Sequence, residues 1–143
     1  MRGVNSGSFS VSGDSSLNIG SLTGNAVQVT ADATLTDSNV GGVVSVGYSQ
    51  ENAADTTLTL AGDTDITTLY VGEEGRENDY KLSISGENTE VTLGNLYNRT
   101  DSVVEFTDGA TANIGYWQSK GSVLIDDATV NHTGWSHCCK HTY

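Results

Sequence analysis

Residues 69–94 read LYVGEEGRENDYKLSISGENTEVTLG, and two phrases inside this stretch recur along the chain. The first is apolar, any residue, apolar, glycine. It occurs as Leu17-Asn18-Ile19-Gly20, Val44-Ser45-Val46-Gly47, Leu69-Tyr70-Val71-Gly72, Val91-Thr92-Leu93-Gly94 and Ala112-Asn113-Ile114-Gly115, with a worn copy ending at Gly134. The five full glycines fall 27, 25, 22 and 21 residues apart. The second phrase is apolar, any residue, apolar, then a turn with an acid. Its copies centre on Phe9-Ser10-Val11, Val27-Gln28-Val29, Leu58-Thr59-Leu60, Leu82-Ser83-Ile84, Val104-Glu105-Phe106 and Val123-Leu124-Ile125. Strand-period alternation places Val11, Val29, Leu60, Ile84, Phe106 and Ile125 on one face and the intervening, mostly polar residues on the other.

Each repeat thus reads as strand, tight acidic turn, strand, glycine, loop. One such unit cannot bury its apolar face, but a stack of them can, each unit covering the next. The expected fold is an all-β parallel β-helix, or β-solenoid, of five to six short rungs. The usual hand of parallel crossovers makes it right-handed. The solenoid spans 9–135, after a flexible end over 1–8 and before an atypical, disordered tail over 136–143.

The chain has 18 acidic residues against six lysines and arginines, a formal net charge of −12, no proline and 17 glycines. Without a basic stripe to neutralise phosphates, nucleic-acid binding is disfavoured. An anionic membrane would repel it, and no apolar run approaches a membrane span. Residues 1–4 lack the apolar core of a signal peptide. The only cysteines, Cys138 and Cys139, are adjacent and form no disulfide framework.

Residues 43–72, VVSVGYSQENAADTTLTLAGDTDITTLYVG, and residues 69–94 carry a family resemblance, strongest at Gly47-Tyr48-Ser49, Leu58 to Gly62, Leu82 to Gly86 and Gly115-Tyr116. They resemble the repeats of bacterial type V secretion (autotransporter) passengers and PEP-CTERM-associated surface proteins. The resemblance runs from about Phe9 to Trp135. It implies an exported, extracellular β-helical segment on the surface of a Gram-negative bacterium. The parent protein would be linked to an outer-membrane barrel or sorting segment. The resemblance brings no catalytic residues.

Several residue sets bear on function. Asp14, Asp32, Asp63, Glu87, Asp108 and Asp127 share one place in the phrase. Stacked at the strand spacing they would repel by roughly 0.9 kcal/mol per neighbour in water. They are weak Ca²⁺ candidates, since hard cations take carboxylate oxygens, although no Asp-x-Asp-x-Asp-Gly motif is present. Turn geometry and solubility are the simpler explanation of them. The outward row Ser10, Gln28, Thr59, Ser83, Glu105 and Leu124 holds a single acid and no base, so it lacks the paired carboxylates of glycosidic cleavage. We expect no catalytic site and no cofactor. Asn18, Ser45, Tyr70, Thr92 and Asn113 form a second polar row, suited to binding.

Aromatic residues gather near the repeat glycines. Tyr48, Tyr97, Tyr116 and Trp117 are candidate contacts for a host or environmental glycan or protein, because Tyr and Trp give contact area at low entropy cost. Tyr80 and Trp135 are similarly placed, and covering a corner would suit all six. The loops over 48–57 and 73–81 are the longest. His132, His137 and His141 with Cys138 and Cys139 offer zinc-ligand types, but their spacing fits no recognised finger.

These readings converge on a non-enzymatic cell-surface or secreted scaffold, an adhesin-type passenger segment presenting a repetitive polar face. The alternatives are a fragment of a β-helical polysaccharide-active enzyme and a Ca²⁺-stiffened spacer. Open rungs at the ends imply end-to-end self-association of the isolated piece.

Overall fold

The computed structural model describes residues 8–11, 26–29, 32–46, 55–72, 80–99, 102–134, 136–137 and 141–142. Among these there is no helix. The strands are β1 (Ser8–Val11), β2 (Ala26–Val29), β3 (Ala33–Thr36), β4 (Asn39–Val46), β5 (Thr56–Ala61), β6 (Asp63–Val71) and β7 (Tyr80–Ser85). They continue as β8 (Glu90–Asn98), β9 (Ser102–Thr107), β10 (Thr111–Ser119), β11 (Ser122–Asp126), β12 (Thr129–His132), β13 (Ser136–His137) and β14 (His141–Thr142).

They form two all-parallel sheets. One runs β1-β2-β4-β6-β8-β10-β12, with β13 also on β10; the other runs β3-β5-β7-β9-β11-β14. From β3 to β12 the chain alternates between the sheets, and this alternation makes the coils of a β-solenoid. About three turns have the full form, a six-residue strand followed by a nine-residue strand: β5–β6, β7–β8 and β9–β10. Shorter coils flank them. The tail, expected to lie outside the solenoid, contributes β13 and β14, which pair with β10 and β11.

Alternation determines which side chains enter the core. In β5, β7 and β9 every second residue is buried, and Leu58, Leu82, Val104 and Val123 pair strand to strand in one column. Leu60, Ile84, Phe106 and Ile125 form the next. The opposing sheet supplies Ile66, Leu93 and Ile114, and then Leu69, Leu96 and Trp117. Burying each large aliphatic of this kind contributes on the order of 1.5–3 kcal/mol. Coil β9–β10 carries the bulkiest pair, Phe106 and Trp117, meeting edge to face with centroids 5.9 Å apart. The buried small residues Ala110 and Ala112 in the same coil offset that bulk.

The nine-residue strands are bent in the middle. The burial pattern of β6 and β8, alternating and then slipping by one residue, marks the corner at Thr67 and Gly94. Coils approach closely here. A Cβ on Gly94 would lie 2.6 Å from the Thr67 carbonyl oxygen, and one on Gly115 would lie 2.6 Å from that of Gly94. At the same corner β4 carries a bulge between Val40 and Val43.

The register revises the repeat phase. Val71 pairs with Val46 on one side and Asn98 on the other, so the counterpart of Gly72 is Arg99. Leu93 pairs with Ile66 and Ile114, so Gly94 corresponds to Thr67 and Gly115. The 22-residue step from Gly72 to Gly94 therefore joins two different corners. Equivalent residues Ile66, Leu93, Ile114 and His132 are 27, 21 and 18 apart. The second phrase is also mixed. Phe9–Val11 and Val27–Val29 belong to the sheet of the long strands. The true partner of Leu58–Ala61 is Ala33–Thr36.

Candidate functional site

The acids of the expected column occupy several different places. Register aligns Asp37, Gly62, Gly86, Asp108 and Asp127 where the short strands end. All five have positive φ, from 49° at Asp37 to 111° at Gly86. This is the left-handed region that glycine enters freely and aspartate tolerates. Asp63 is one residue further on and pairs with Glu90 in the long-strand sheet. Asp32 precedes β3, Glu87 sits inside its turn, and Asp14 lies outside the described residues.

The Asp32, Asp37 and Asp108 carboxylates tie coil to coil. Asp32 Oδ1 accepts from the Thr57 amide at 2.9 Å, and Asp37 Oδ1 accepts from the Asp63 amide at 2.9 Å. Asp108 Oδ2 accepts from the Ser85 hydroxyl at 2.7 Å and from Thr107 Oγ1 at 3.1 Å. Among the described residues no three His, Cys, Asp or Glu side chains gather into a metal-binding group. Asp37 escaped the sequence reading because its strand, Ala33–Thr36, is short and begins on an alanine; the turn composition Asp37-Ser38-Asn39 was the available signal.

The outer face of the short-strand sheet presents Thr34, Thr59, Ser83, Glu105 and Leu124 in one column. Ser10 and Gln28 are on strands of the other sheet. The one acid of this column, Glu105, is paired with Lys81 at 2.8 Å.

A buried tyrosine and one inward-facing polar network complete the frame. Tyr80 is fully buried. At the corner after β8, buried Asn98 donates from Nδ2 to Ser119 Oγ at 3.1 Å and to the Ser122 carbonyl at 3.1 Å, while its Oδ1 accepts from the Ser102 hydroxyl. This network satisfies polar groups that would otherwise be stranded in the core.

The second half of each long strand faces outward differently. Ser45, Tyr70, Tyr97 and Gln118 pair in one column, and Val43, Thr68, Asn95 and Tyr116 in the next. The Tyr70 and Tyr97 rings stack with centroids 4.6 Å apart and planes 12° from parallel. Tyr116 lies 5.6 Å from Tyr97 and is tilted 48° out of the stack. The Arg99 guanidinium sits beside both stacked rings, 5.5 Å from the Tyr70 centroid and 5.7 Å from that of Tyr97. Arg99 Nε is buried and bonds to no described residue, so the rings hold this cation without a described carboxylate. Burial raises the Tyr97 hydroxyl above the usual phenol range; the neighbouring Tyr70 and Tyr116 hydroxyls add to the rise and Arg99 opposes it. The Tyr97 phenol therefore stays neutral at ordinary pH.

None of these eight positions, of which all but buried Ser45 are partly exposed, is acidic, in a chain with 18 acidic side chains. No protein-family model, curated protein or solved structure matches the chain. The strip thus stands on its own geometry.

Of the expected contact residues, Tyr97 and Tyr116 lie together on this strip, joined by Tyr70 from the polar row. Trp117 is a correction: it is 4 % exposed and points into the core, because it directly follows outward Tyr116 on an alternating strand. Tyr48, Trp135, Cys138 and Cys139 lie outside the described residues. Exposed His132 meets Trp117 edge-on at 6.2 Å. The polar row itself divides, since Ser45 and Tyr70 follow the corner whereas Thr92 and Asn113 precede it.

Proposed function

We propose that this chain is a non-enzymatic scaffold segment of an exported cell-surface protein, and that its outward columns make weak, repeated contacts of the adhesin kind. One observation carries the reading. Tyr70 and Tyr97 pair by register and stack, and Tyr116 leans on Tyr97 from the adjacent column, all on the outside of a stiff parallel ladder. A surface composed this way presents similar groups at regular height, so many weak contacts add by avidity. The pairing of Glu105 with Lys81 and the use of Asp32, Asp37 and Asp108 as ties between coils favour structural roles for those acids. The resemblance to autotransporter and PEP-CTERM-associated repeats supports a Gram-negative cell surface as the location.

Microspheres coated with the chain test this. Under flow over immobilised glycans and extracellular-matrix proteins, retention should rise steeply with coating density and exceed that of albumin-coated spheres. Retention equal to albumin at every density on every surface refutes the adhesive reading.

A further inference from the structure

The aromatic strip has a size, a charge and a chemistry, and together they narrow what it would hold. It is two outward residues wide and four strands tall, about 7 Å by about 14 Å, or roughly 100 Å² of backbone footprint. A stable protein partner needs roughly 800 Å² on each side. The strip is far too narrow for that and suits a single extended polymer chain lying across the coils.

Its charge selects among polymers. Past the corner on one side stand the outward carboxylates of Asp63, Asp65 and Glu90, all exposed. The whole chain carries −12. An acidic polymer would be repelled by these flanks, while a neutral one would meet none of this opposition. Arg99 and its register counterpart Lys120 do not reverse the balance, because two cations at one end of the strip face three flanking acids past the corner.

The groups on the strip are those that neutral hydroxyl-bearing chains engage. Three phenols donate and accept, and Gln118 and Asn95 add amides. Asn95 Nδ2 is held by Thr68 Oγ1 at 3.2 Å and the Thr67 carbonyl at 3.4 Å, which leaves its Oδ1 to accept. Arg99 offers a planar fork of donors at the end of the strip. Tyr116, tilted away from the stack, supplies ring surface for C–H contact. The stack fixes the aromatic rotamers beforehand, so binding orders little that is not ordered already.

From this we infer that Tyr70, Tyr97 and Tyr116, with Asn95, Gln118 and Arg99, form a binding strip for a neutral polysaccharide chain. The inference deepens the adhesive reading and rests on it. The test is affinity electrophoresis of the full chain through native gels containing mixed-linkage β-glucan, galactomannan or arabinoxylan. Parallel gels contain alginate or polygalacturonate. Retardation is expected in at least one neutral gel and in neither acidic gel. Tyr97→Ser should weaken it at least tenfold. An Arg99→Gln/Gln118→Ala double variant, which leaves the stacked rings in place, should weaken it several-fold with an unchanged circular-dichroism spectrum and melting midpoint. Unretarded migration in all three neutral gels overturns the proposal. Equal retardation in the acidic gels does so too, as does full retardation of both variants. Spheres that adhere under flow while the neutral gels give no retardation would sink the strip and leave the adhesive scaffold standing. Retardation without adhesion would do the reverse.

Discussion

Replacing Gly94 with alanine tests the stacking argument at its tightest point. The new Cβ would sit 2.6 Å from the Thr67 carbonyl oxygen, where real Cβ contacts are essentially never under 3.0 Å. The obstacle is backbone in the adjacent coil, held by β-ladder bonds on both sides of the corner, so it cannot swing away as a side-chain tip would. Overpacking of this kind costs about 1–3 kcal/mol. Alanine also restricts the unfolded chain, which returns about 0.4–1 kcal/mol. The net expectation is a loss of about 1–2 kcal/mol. Gly41, beside the bulge at the same corner one coil pair away, has nothing within 4 Å of a built Cβ. Gly41→Ala keeps only the unfolded-chain gain, so it should be neutral or slightly stabilising. Urea unfolding with a common slope would read both, and Gly115→Ala should behave like Gly94→Ala. In thermal melts each kcal/mol is worth about 3 °C for a chain of this size. A Gly94→Ala variant as stable as Gly41→Ala would refute the claim that bare backbones set the coil spacing at this corner.

Two further outcomes follow from the polar interior and the phenol row. Asn98→Ala removes the shared partner of Ser102, Ser119 and the Ser122 carbonyl, and the stranded groups should cost about 2–4 kcal/mol in urea unfolding; a loss below about 0.5 kcal/mol would show that the network is idle. Because Tyr97 titrates higher folded than unfolded, its contribution is intact below the ordinary phenol range near pH 10 and is lost as pH rises through the folded value. The difference between the ultraviolet titrations of wild type and Tyr97→Phe should centre above the free-tyrosine midpoint, and a difference centred at or below it would contradict this.

The solenoid was legible because alternation and punctuation agree. Leu58, Leu82, Val104 and Val123 stand in the column that their phrase implies. The phase was not legible, for a physical reason. Each half of a long strand buries alternate residues and then turns a corner, so both halves write apolar, any, apolar, turn. Leu69–Gly72 and Val91–Gly94 look alike while occupying different corners. Only pairing between coils tells them apart, and unequal loops hide the period. Tyr97 and Tyr116 were visible as outward aromatics. Their union with Tyr70 was not, since it depends on a 27-residue offset that no local pattern reveals. Trp117 misled because proximity to a repeat glycine says nothing about parity along the strand.

The unequal coils have a consequence of their own. From Ile66 to Leu93 the chain spends 27 residues, and from Leu93 to Ile114 only 21, yet the ladder positions match one for one. Five of the six surplus residues fall between Val71 and Tyr80, the stretch that Asn98 to Ser102 spans in the following coil. Length at this crossing is thus uncoupled from the lattice beneath it. A foreign peptide grafted there would ride at a set elevation on the rod without disturbing a single rung. Divergence between descendants of such a chain should accumulate at that seam first.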